Sequence, residues 1–179
     1  MNIYVGGDVY TIVQFQHVKP GKGGAFVRTK LRKLMTGQNM EKTFRAGERI
    51  ETAYVEKRPL QFLYNAGDDI VCMDMDDYDQ THYAKRLLGD GIKYLKDGVA
   101  ISAVTVDGRV ISLEVPDFVE LLVKETDPGL KGDTASGGSK PATLESGATV
   151  NVPFHINVGD VIKIDTRTGT YLERVKGEV

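Results

Sequence analysis

A short glycine-rich segment between two strand-like runs places the strongest constraint on how this chain can fold. Residues 10–18 and 25–31 alternate in the manner of β-strands, and the six residues between them cannot continue either strand. Pro20 fixes its own φ and has no amide donor, and the three glycines around it accept positive φ. The segment is therefore predicted to be a hairpin tip that holds the ammonium groups of Lys19 and Lys22 clear of the protein body. The tip consists of Lys19, Pro20, Gly21, Lys22, Gly23 and Gly24.

The charge of the chain is distributed unevenly, and the distribution bears on its partner. The net charge of -2, taken alone, argues against a nucleic-acid-binding protein. Residues 1–52 nevertheless carry nine basic and four acidic side chains, whereas residues 53–116 carry seven and eleven and residues 117–179 carry seven and ten. A local positive field attracts anions even on an acidic protein. Lys22, flanked by glycines that do not shield it, therefore suggests a phosphate-bearing partner, and RNA is the expected one.

Short alternating runs separated by turn residues dominate the sequence and predict an all-β fold. Asp107-Gly108 lies between two β-branched runs and is a strong signal for a tight hairpin. Helical spacing is limited to Tyr83–Lys96, which Gly89 and Gly91 interrupt, so one or two short helical turns are expected there. Many short strands at even spacing favour barrels or sandwiches. Beyond the first hairpin, strands are predicted at residues 41–44, 61–64, 70–73, 100–106, 110–115, 119–124, 149–154 and 161–165.

The composition is that of an ordinary globular protein. The hydrophobic share is 41% and the charged share 27%, and no stretch approaches the roughly 20 apolar residues of a membrane span. The N-terminal residues have neither the basic region nor the apolar core of a signal peptide. Cys72 is the one cysteine and cannot form an internal disulfide. A cytoplasmic protein without membrane association is expected.

Two long segments of this sequence resemble the bacterial elongation factor P family. The first runs from Phe15 through Leu31 and continues in residues 41–48, and the second begins with the loop from Gly132 to Leu144. A lysine loop together with a Gly-Asp-Thr motif distinguishes the factor from a divergent paralogue that lacks both. The similarity covers nearly the whole chain. In the second segment it continues through Gly147, Val150, Val152, Pro153, Ile156 and Gly159 to residues 165–169 and 171–174.

This resemblance implies three small β-barrels in tandem, arranged as an elongated protein. They would be an SH3-like (KOW-like) domain over residues 1–52, an OB-fold over residues 53–116 and a second OB-fold over residues 117–179. It further implies a monomeric, non-enzymatic translation factor that binds both ribosomal subunits beside peptidyl-tRNA and promotes peptide-bond formation at consecutive prolines. The lysine that matches Lys22 reaches toward the CCA end of that tRNA. In many members a modifying enzyme adds a covalent extension to it; no other cofactor and no metal is expected.

Further RNA contacts are expected at both ends of the chain. The resemblance implies that Gly132, Asp133 and Thr134 lie near the exit-site codon, and that Tyr171 and Arg174 lie on the tRNA or small-subunit side. The basic residues after the hairpin tip would bind tRNA backbone without reading sequence, so binding should weaken as salt rises. These residues are Arg28, Lys30, Arg32 and Lys33, of which the first three share one face if the strand persists.

Two other functions remain open from the residues alone. One is an OB-fold protein that binds single-stranded nucleic acid by aromatic stacking, although the chain has no Trp and its six Phe fall mostly at strand positions. The other is an enzyme with Lys22 as nucleophile, which needs a pocket and a lowered pKa that a glycine-flanked tip does not supply. The acidic run of residues 74–79 fails the EF-hand pattern, since Lys85 stands where the last ligand belongs.

Overall fold

The computed structural model describes residues 1–129 and 138–175, which form fourteen β-strands and one 3-10 helical segment, Lys85–Tyr94. The all-β prediction is confirmed. In the described residues no helix is long and apolar enough to span a membrane. Strands β1–β4 are Asn2–Val5, Asp8–Val18, Phe26–Lys33 and Asn39–Arg45; β5–β9 are Val55–Ala66, Asp69–Asp74, Gln80–Ala84, Ala100–Val106 and Arg109–Glu114; β10–β14 are Phe118–Thr126, Ser139–Leu144, Thr149–Pro153, Val161–Asp165 and Thr170–Val175.

The predicted runs fall in ten of the fourteen strands of the described residues, and four strands were missed. The predicted runs at residues 100–106 and 161–165 coincide with β8 and β13. Strands β1, β7, β11 and β14 were not predicted, because their sequences are short, polar or interrupted by proline. Main-chain pairing to a neighbouring strand defines each of them, and that pairing is a property of the sheet and not of the local sequence.

The helical prediction over Tyr83–Lys96 was right in kind and wrong at its start. Tyr83 lies in β7, and the helical turns begin at Lys85. Gly89, with φ of 53°, breaks the segment into two short pieces of 3-10 helix. Such a left-handed conformation suits glycine because no Cβ collides with the backbone.

The chain folds into two compact units. The first contains residues 1–57 and 104–112, and the second contains the described residues of 58–103 and 113–179. The first unit holds a four-stranded antiparallel sheet in the order β1-β2-β3-β4. Ile3, Leu31 and Phe44 form its buried core, which explains why strands that look polar overall still pair in one register.

The predicted Asp107-Gly108 hairpin is confirmed and is anchored within the first unit. Asp107 and Gly108 both have positive φ, 48° and 84°, as a two-residue turn of this kind requires. One carboxylate oxygen of Asp107 accepts a hydrogen bond from the hydroxyl of Tyr4, and the other accepts one from the main-chain N–H of Tyr54 at 3.0 Å. The Asp107 amide in turn donates to the Tyr54 carbonyl at 2.8 Å. One aspartate therefore ties this turn to two other segments.

Two further sheets, each of five strands, share one connectivity. Their orders are β7-β6-β5-β8-β9 and β12-β11-β10-β13-β14, so each sheet places its five strands in the sequence third, second, first, fourth, fifth. Each sheet has its own buried cluster, one including Phe62 and Ile70 and the other including Leu121 and Ile162. Cys72 is buried in the former, and burial raises the pKa of its thiol to about 11, as expected of a packing residue.

Tyr94, at the end of the 3-10 segment, packs against the sheet β10–β14 and not against the sheet β5–β9 that its segment connects. Its side chain is 1% exposed and belongs to the buried cluster of β10–β14, together with Val119 and Ile164. The Nζ of Lys96 also contacts this sheet, since it donates a hydrogen bond to the Glu120 carbonyl at 2.9 Å. The 3-10 segment therefore completes a core that the five strands β10–β14 do not fill alone.

Replacing Tyr94 by Ala is expected to destabilise the β10–β14 barrel by about 3–5 kcal/mol, because a large buried ring leaves a cavity. Tyr94→Phe should retain most of the stability, since it keeps the ring. Ile92→Ala, in the same segment but 38% exposed, is the matched control and should stay within about 0.5 kcal/mol of wild type. Urea denaturation together with amide hydrogen exchange in β13 measures the effect. Equal losses for the Tyr94→Ala and Ile92→Ala variants would contradict the assignment of Tyr94 to this core.

Replacing Asp107 by Asn is expected to flatten the acid limb of the stability curve. The hydrogen bonds from Tyr4 and Tyr54 hold the pKa of the Asp107 carboxyl below its ordinary value. A carboxylate with a lowered folded-state pKa stabilises the fold above its unfolded-state pKa, and the contribution is lost as pH falls through the folded-state value. Asn tolerates the left-handed backbone of this position, so the turn itself is preserved.

The measurement is the free energy of unfolding in urea at pH 7 and in steps below about pH 4. The Asp107→Asn protein should lose less stability on acidification than wild type. Asp76→Asn, at an exposed aspartate, serves as control and should follow wild type. If the Asp107→Asn and wild-type curves run parallel through the acid range, the Asp107 carboxylate does not stabilise this turn.

Candidate nucleic-acid interface

The hairpin tip stands where the sequence predicts it, between β2 and β3. The last residues to pair are Val18 and Phe26, and every residue from Lys19 to Gly24 is exposed. Gly23 alone among the tip glycines uses positive φ, at 119°, so the backbone reverses there. Among the described residues neither Lys19 nor Lys22 forms an ion pair. The Lys22 ammonium is therefore available to an anionic partner.

One face of β3 carries a row of cations, as the alternation predicts. Arg28, Lys30 and Arg32 are exposed, whereas Thr29 and Leu31 between them are buried on the opposite face. The neighbouring strands place polar side chains beside this row: Gln16 pairs with Arg28 and Gln14 with Lys30 on one side, and Thr43, Glu41 and Asn39 on the other. The Nε of Arg32 donates to Asn39 at 3.3 Å. The face is thus a polar, predominantly cationic strip.

Lys33, predicted with the other three, lies apart from them. The strand period of two places it on the core side of β3, where it is half-buried and its Nζ is 2.8 Å from the Asp8 carboxylate. This hydrogen bond raises the pKa of Lys33. The structure therefore engages Lys33 within the protein and does not bring it to the cationic face.

Arg45 is the cation on this face that the sequence reasoning missed. It ends β4, is exposed, and pairs with Phe26, which has the same parity on β3 as Arg28. Its guanidinium forms no ion pair within the described residues. The alternation of Glu41, Thr43 and Arg45 along β4 is the signal from which it could have been found.

The two C-terminal candidates share a face of β14 because of a bulge. Tyr171 pairs with Ile164 and Arg174 with Ile162, with a register shift between them. Two residues three apart would point to opposite faces of a regular strand, and the extra residue of a bulge restores the common face. Tyr171 is half-buried against the core, whereas Arg174 is exposed and lies 3.9 Å from the Asp160 carboxylate.

The predicted Gly132, Asp133 and Thr134 lie outside the described residues. Two flanking glycines are described, and both lie against Phe154, one at its ring and the other at its carbonyl oxygen. A Cβ on Gly138 would come 2.7 Å from Cε2 of Phe154, and a Cβ on Gly129 would come 2.5 Å from the Phe154 carbonyl oxygen. Only glycine fits such approaches, so a larger residue at either position would have to displace part of Phe154. No group of three or more His, Cys, Asp or Glu in the described ranges is placed to hold a metal.

Comparison with known families and proteins finds matches over nearly the whole chain. The family model "Elongation factor P (EF-P) KOW-like domain" matches residues 1–50, the "Elongation factor P (EF-P) OB domain" residues 55–113, and "Elongation factor P, C-terminal" residues 119–174. Elongation factor P of Natranaerobius thermophilus is 60% identical over 178 residues, covering 99% of this chain and 95% of the relative. The chain belongs to the elongation factor P family. Its function class is accordingly that of a translation elongation factor.

Further relatives agree with this membership and with the predicted fold. Elongation factor P of Carboxydothermus hydrogenoformans is 55% identical, covering 98% of this chain and 95% of the relative. A translation initiation factor eIF-5A family protein from Naegleria fowleri shares the fold, with a TM-score of 0.51 at 14% identity, over 64% of this chain and 87% of that one. The KOW-like and OB-fold prediction is confirmed. The identical strand order of β5–β9 and β10–β14 agrees with two successive domains of one type after the first sheet.

Substituting Gly129 and Gly138, the two glycines that flank the Gly-Asp-Thr segment, tests these contacts with an internal control. Gly138→Ala and Gly129→Ala should each cost about 1–3 kcal/mol through overpacking. Phe154→Leu should relieve the first, because that clash is with the ring, but not the second, because that clash is with the Phe154 main chain. Urea denaturation of the three single variants and the two double mutants measures the couplings. Equal relief of both glycine variants would show that the ring and the carbonyl do not act separately.

Proposed function

We propose that this elongation factor P family member binds the ribosome beside peptidyl-tRNA and promotes peptide-bond formation where consecutive prolines stall synthesis. It would do so as a cytoplasmic monomer that contacts both ribosomal subunits. The observation that carries the proposal is the exposed Lys22, which forms no ion pair with the described residues, at the end of a hairpin whose β3 face is cationic. An ammonium on a flexible stem, displayed on a thin tip, suits phosphate and ribose oxygens in a narrow space.

Positioning alone can account for the activity. Proline is a poor acceptor because its ring restricts the approach of its nitrogen, and it strains the peptidyl chain as donor. Holding the CCA end so that the reacting atoms align lowers the entropic part of the barrier. A tenfold gain in rate requires only about 1.4 kcal/mol. No acid, base or nucleophile from the factor is needed for an effect of this size.

The remaining candidate residues fit an RNA partner. Arg28, Lys30 and Arg32 form one exposed row that can track a phosphate backbone without reading sequence. Tyr171 and Arg174, which the β14 bulge places on one face, are proposed to contact tRNA or the small subunit. Gly132, Asp133 and Thr134 are proposed to lie at the exit-site codon. The acidic balance of residues 53–179 limits binding to unrelated RNA.

Lys22 is also the proposed site of a covalent extension installed by a lysine-modifying enzyme. Its exposure and the absence of bulky neighbours at Gly21 and Gly24 leave the amine open to such an enzyme. An added tail would lengthen the reach and add hydrogen-bond donors. Peptide mass spectrometry across residues 19–28 of the native protein measures the added mass, and an unmodified peptide would restrict the role to the lysine itself.

Replacing Lys22 by Ala should leave the fold intact and abolish rescue of a polyproline reporter in reconstituted translation, because the positioning cation is gone. Lys124→Ala removes an exposed lysine from β10 and is the matched control, expected to rescue normally. Circular dichroism checks that both variants fold. Normal rescue by the Lys22→Ala protein would refute the effector role of Lys22.

The same proteins separate this function from generic single-strand binding. A factor that acts on the ribosome should bind free oligonucleotides weakly in a gel-shift assay at physiological salt. Tight, sequence-independent binding to single strands, unchanged in the Lys22→Ala variant, would instead favour the OB-fold single-strand binder.

A further inference from the structure

An exposed aromatic pair stands on the lysine hairpin, outside every residue assigned so far. The side chain of Phe15 is 64% exposed on β2, and His17, two residues along the same strand, is exposed as well. The two rings meet edge to face, with centroids 5.9 Å apart and planes at 89°. A T-shaped contact is a preferred geometry for two rings, so the contact favours one orientation of each side chain.

The register places this pair on the opposite side of the hairpin from the cations. Phe15 pairs with Thr29 and His17 with Val27, whereas Gln16 pairs with Arg28 and Gln14 with Lys30. Cross-strand partners share a face, so one face of the hairpin presents phosphate-binding cations and the other presents two aromatic rings. Both faces lead to the tip that carries Lys22.

The strand that bears the rings is an open sheet edge. Strand β1 pairs only with residues 8–11 of β2, and in the described part of the chain no other strand pairs with residues 13–18 on that side. An open edge can accept a strand from another protein. Here a register irregularity between Ile12 and Gln14 distorts the start of that edge, and such bulges oppose strand addition. The cations at the tip and on β3 further favour an anionic occupant over a peptide.

We propose that Phe15 and His17 form a stacking platform for an RNA base, a contact that adds to the phosphate contacts of the β3 face. This inference rests on the proposed function, since it names a further contact to the same class of partner. Stacking on an aromatic ring tolerates any base, so the contact suits RNA that varies in sequence. Phe15 lies in a strand, as the sequence analysis expected of most Phe residues, but its side chain faces outward and is free to stack.

The first test is equilibrium binding of the full-length protein to ribosomes that hold peptidyl-tRNA. Phe15→Leu keeps apolar volume and removes the π-face, and should weaken binding about tenfold. Phe15→Trp should bind at least as tightly as wild type. Tyr64→Leu, at a 52% exposed aromatic of β5, is the matched aromatic-to-leucine control and should not weaken binding. Wild-type affinity of the Phe15→Leu protein would overturn the proposal.

Salt dependence separates stacking from charge and from a general folding defect. The Phe15→Leu protein should show the same slope of log affinity against log salt as wild type, because no counterion is released by stacking. Lys30→Ala should reduce the magnitude of that slope by about one, the value expected for the loss of one phosphate contact. A Phe15→Leu variant with a changed slope would show that the ring acts only by holding the cationic face, and would overturn the platform.

Photo-crosslinking identifies the class of partner. A benzophenone amino acid at position 15 should crosslink to RNA in the ribosome complex, giving an adduct that ribonuclease shortens. An adduct to a protein, or no adduct, would overturn the proposal. The adduct does not depend on polyproline rescue, so a failed Lys22→Ala test with an RNA adduct at position 15 would refute the proposed effector role and leave the platform standing.

Discussion

The antiparallel register between β2 and β3 is the constraint that governs the functional end of this molecule. The paired residues end with Val18 opposite Phe26, and the register therefore defines which residues form the tip. Because side chains alternate with a period of two, the same register directs Thr29 and Leu31 to the inner face and Arg28, Lys30 and Arg32 outward. A slip of one residue would bury three cations and expose the core. The hydrophobic cluster around Leu31 therefore fixes the position of the charges as firmly as it stabilises the sheet.

Single aromatic residues anchor segments of the second unit in a similar way. The sheets β5–β9 and β10–β14 repeat one strand order, and Tyr94 supplies a ring to the core of the latter. At the ends of the Gly-Asp-Thr segment, two glycines lie against opposite parts of Phe154, its ring and its carbonyl. In both cases a single aromatic residue makes the packing contact outside the regular strands.

The proposed activity depends on positioning the tRNA and requires no acid, base or nucleophile from the factor. A lysine on a hairpin tip, a row of cations on one strand face and an aromatic pair on the other offer three different kinds of contact to RNA, namely point charge, backbone neutralisation and stacking. Only the cationic contacts depend on salt, so the three can be separated by experiment. A net negative chain can use them because its positive charge is concentrated in residues 1–52.

Local sequence was enough to predict the all-β class, the hairpin tip, the Asp107-Gly108 turn and the common face of Arg28, Lys30 and Arg32, because alternation and turn chemistry are local properties. The domain boundaries and the roles of the site residues stay predictions. Only the assembled sheets show that Lys33 is paired with Asp8 and that Arg45 lies on the cationic face. They also show that Phe15 is exposed and that a bulge places Tyr171 and Arg174 on one face. They also define β1, β7, β11 and β14, which are recognised by their main-chain pairing with a neighbouring strand. Each of these outcomes depends on which strand lies beside which, and hydrogen bonding between residues distant in sequence decides that.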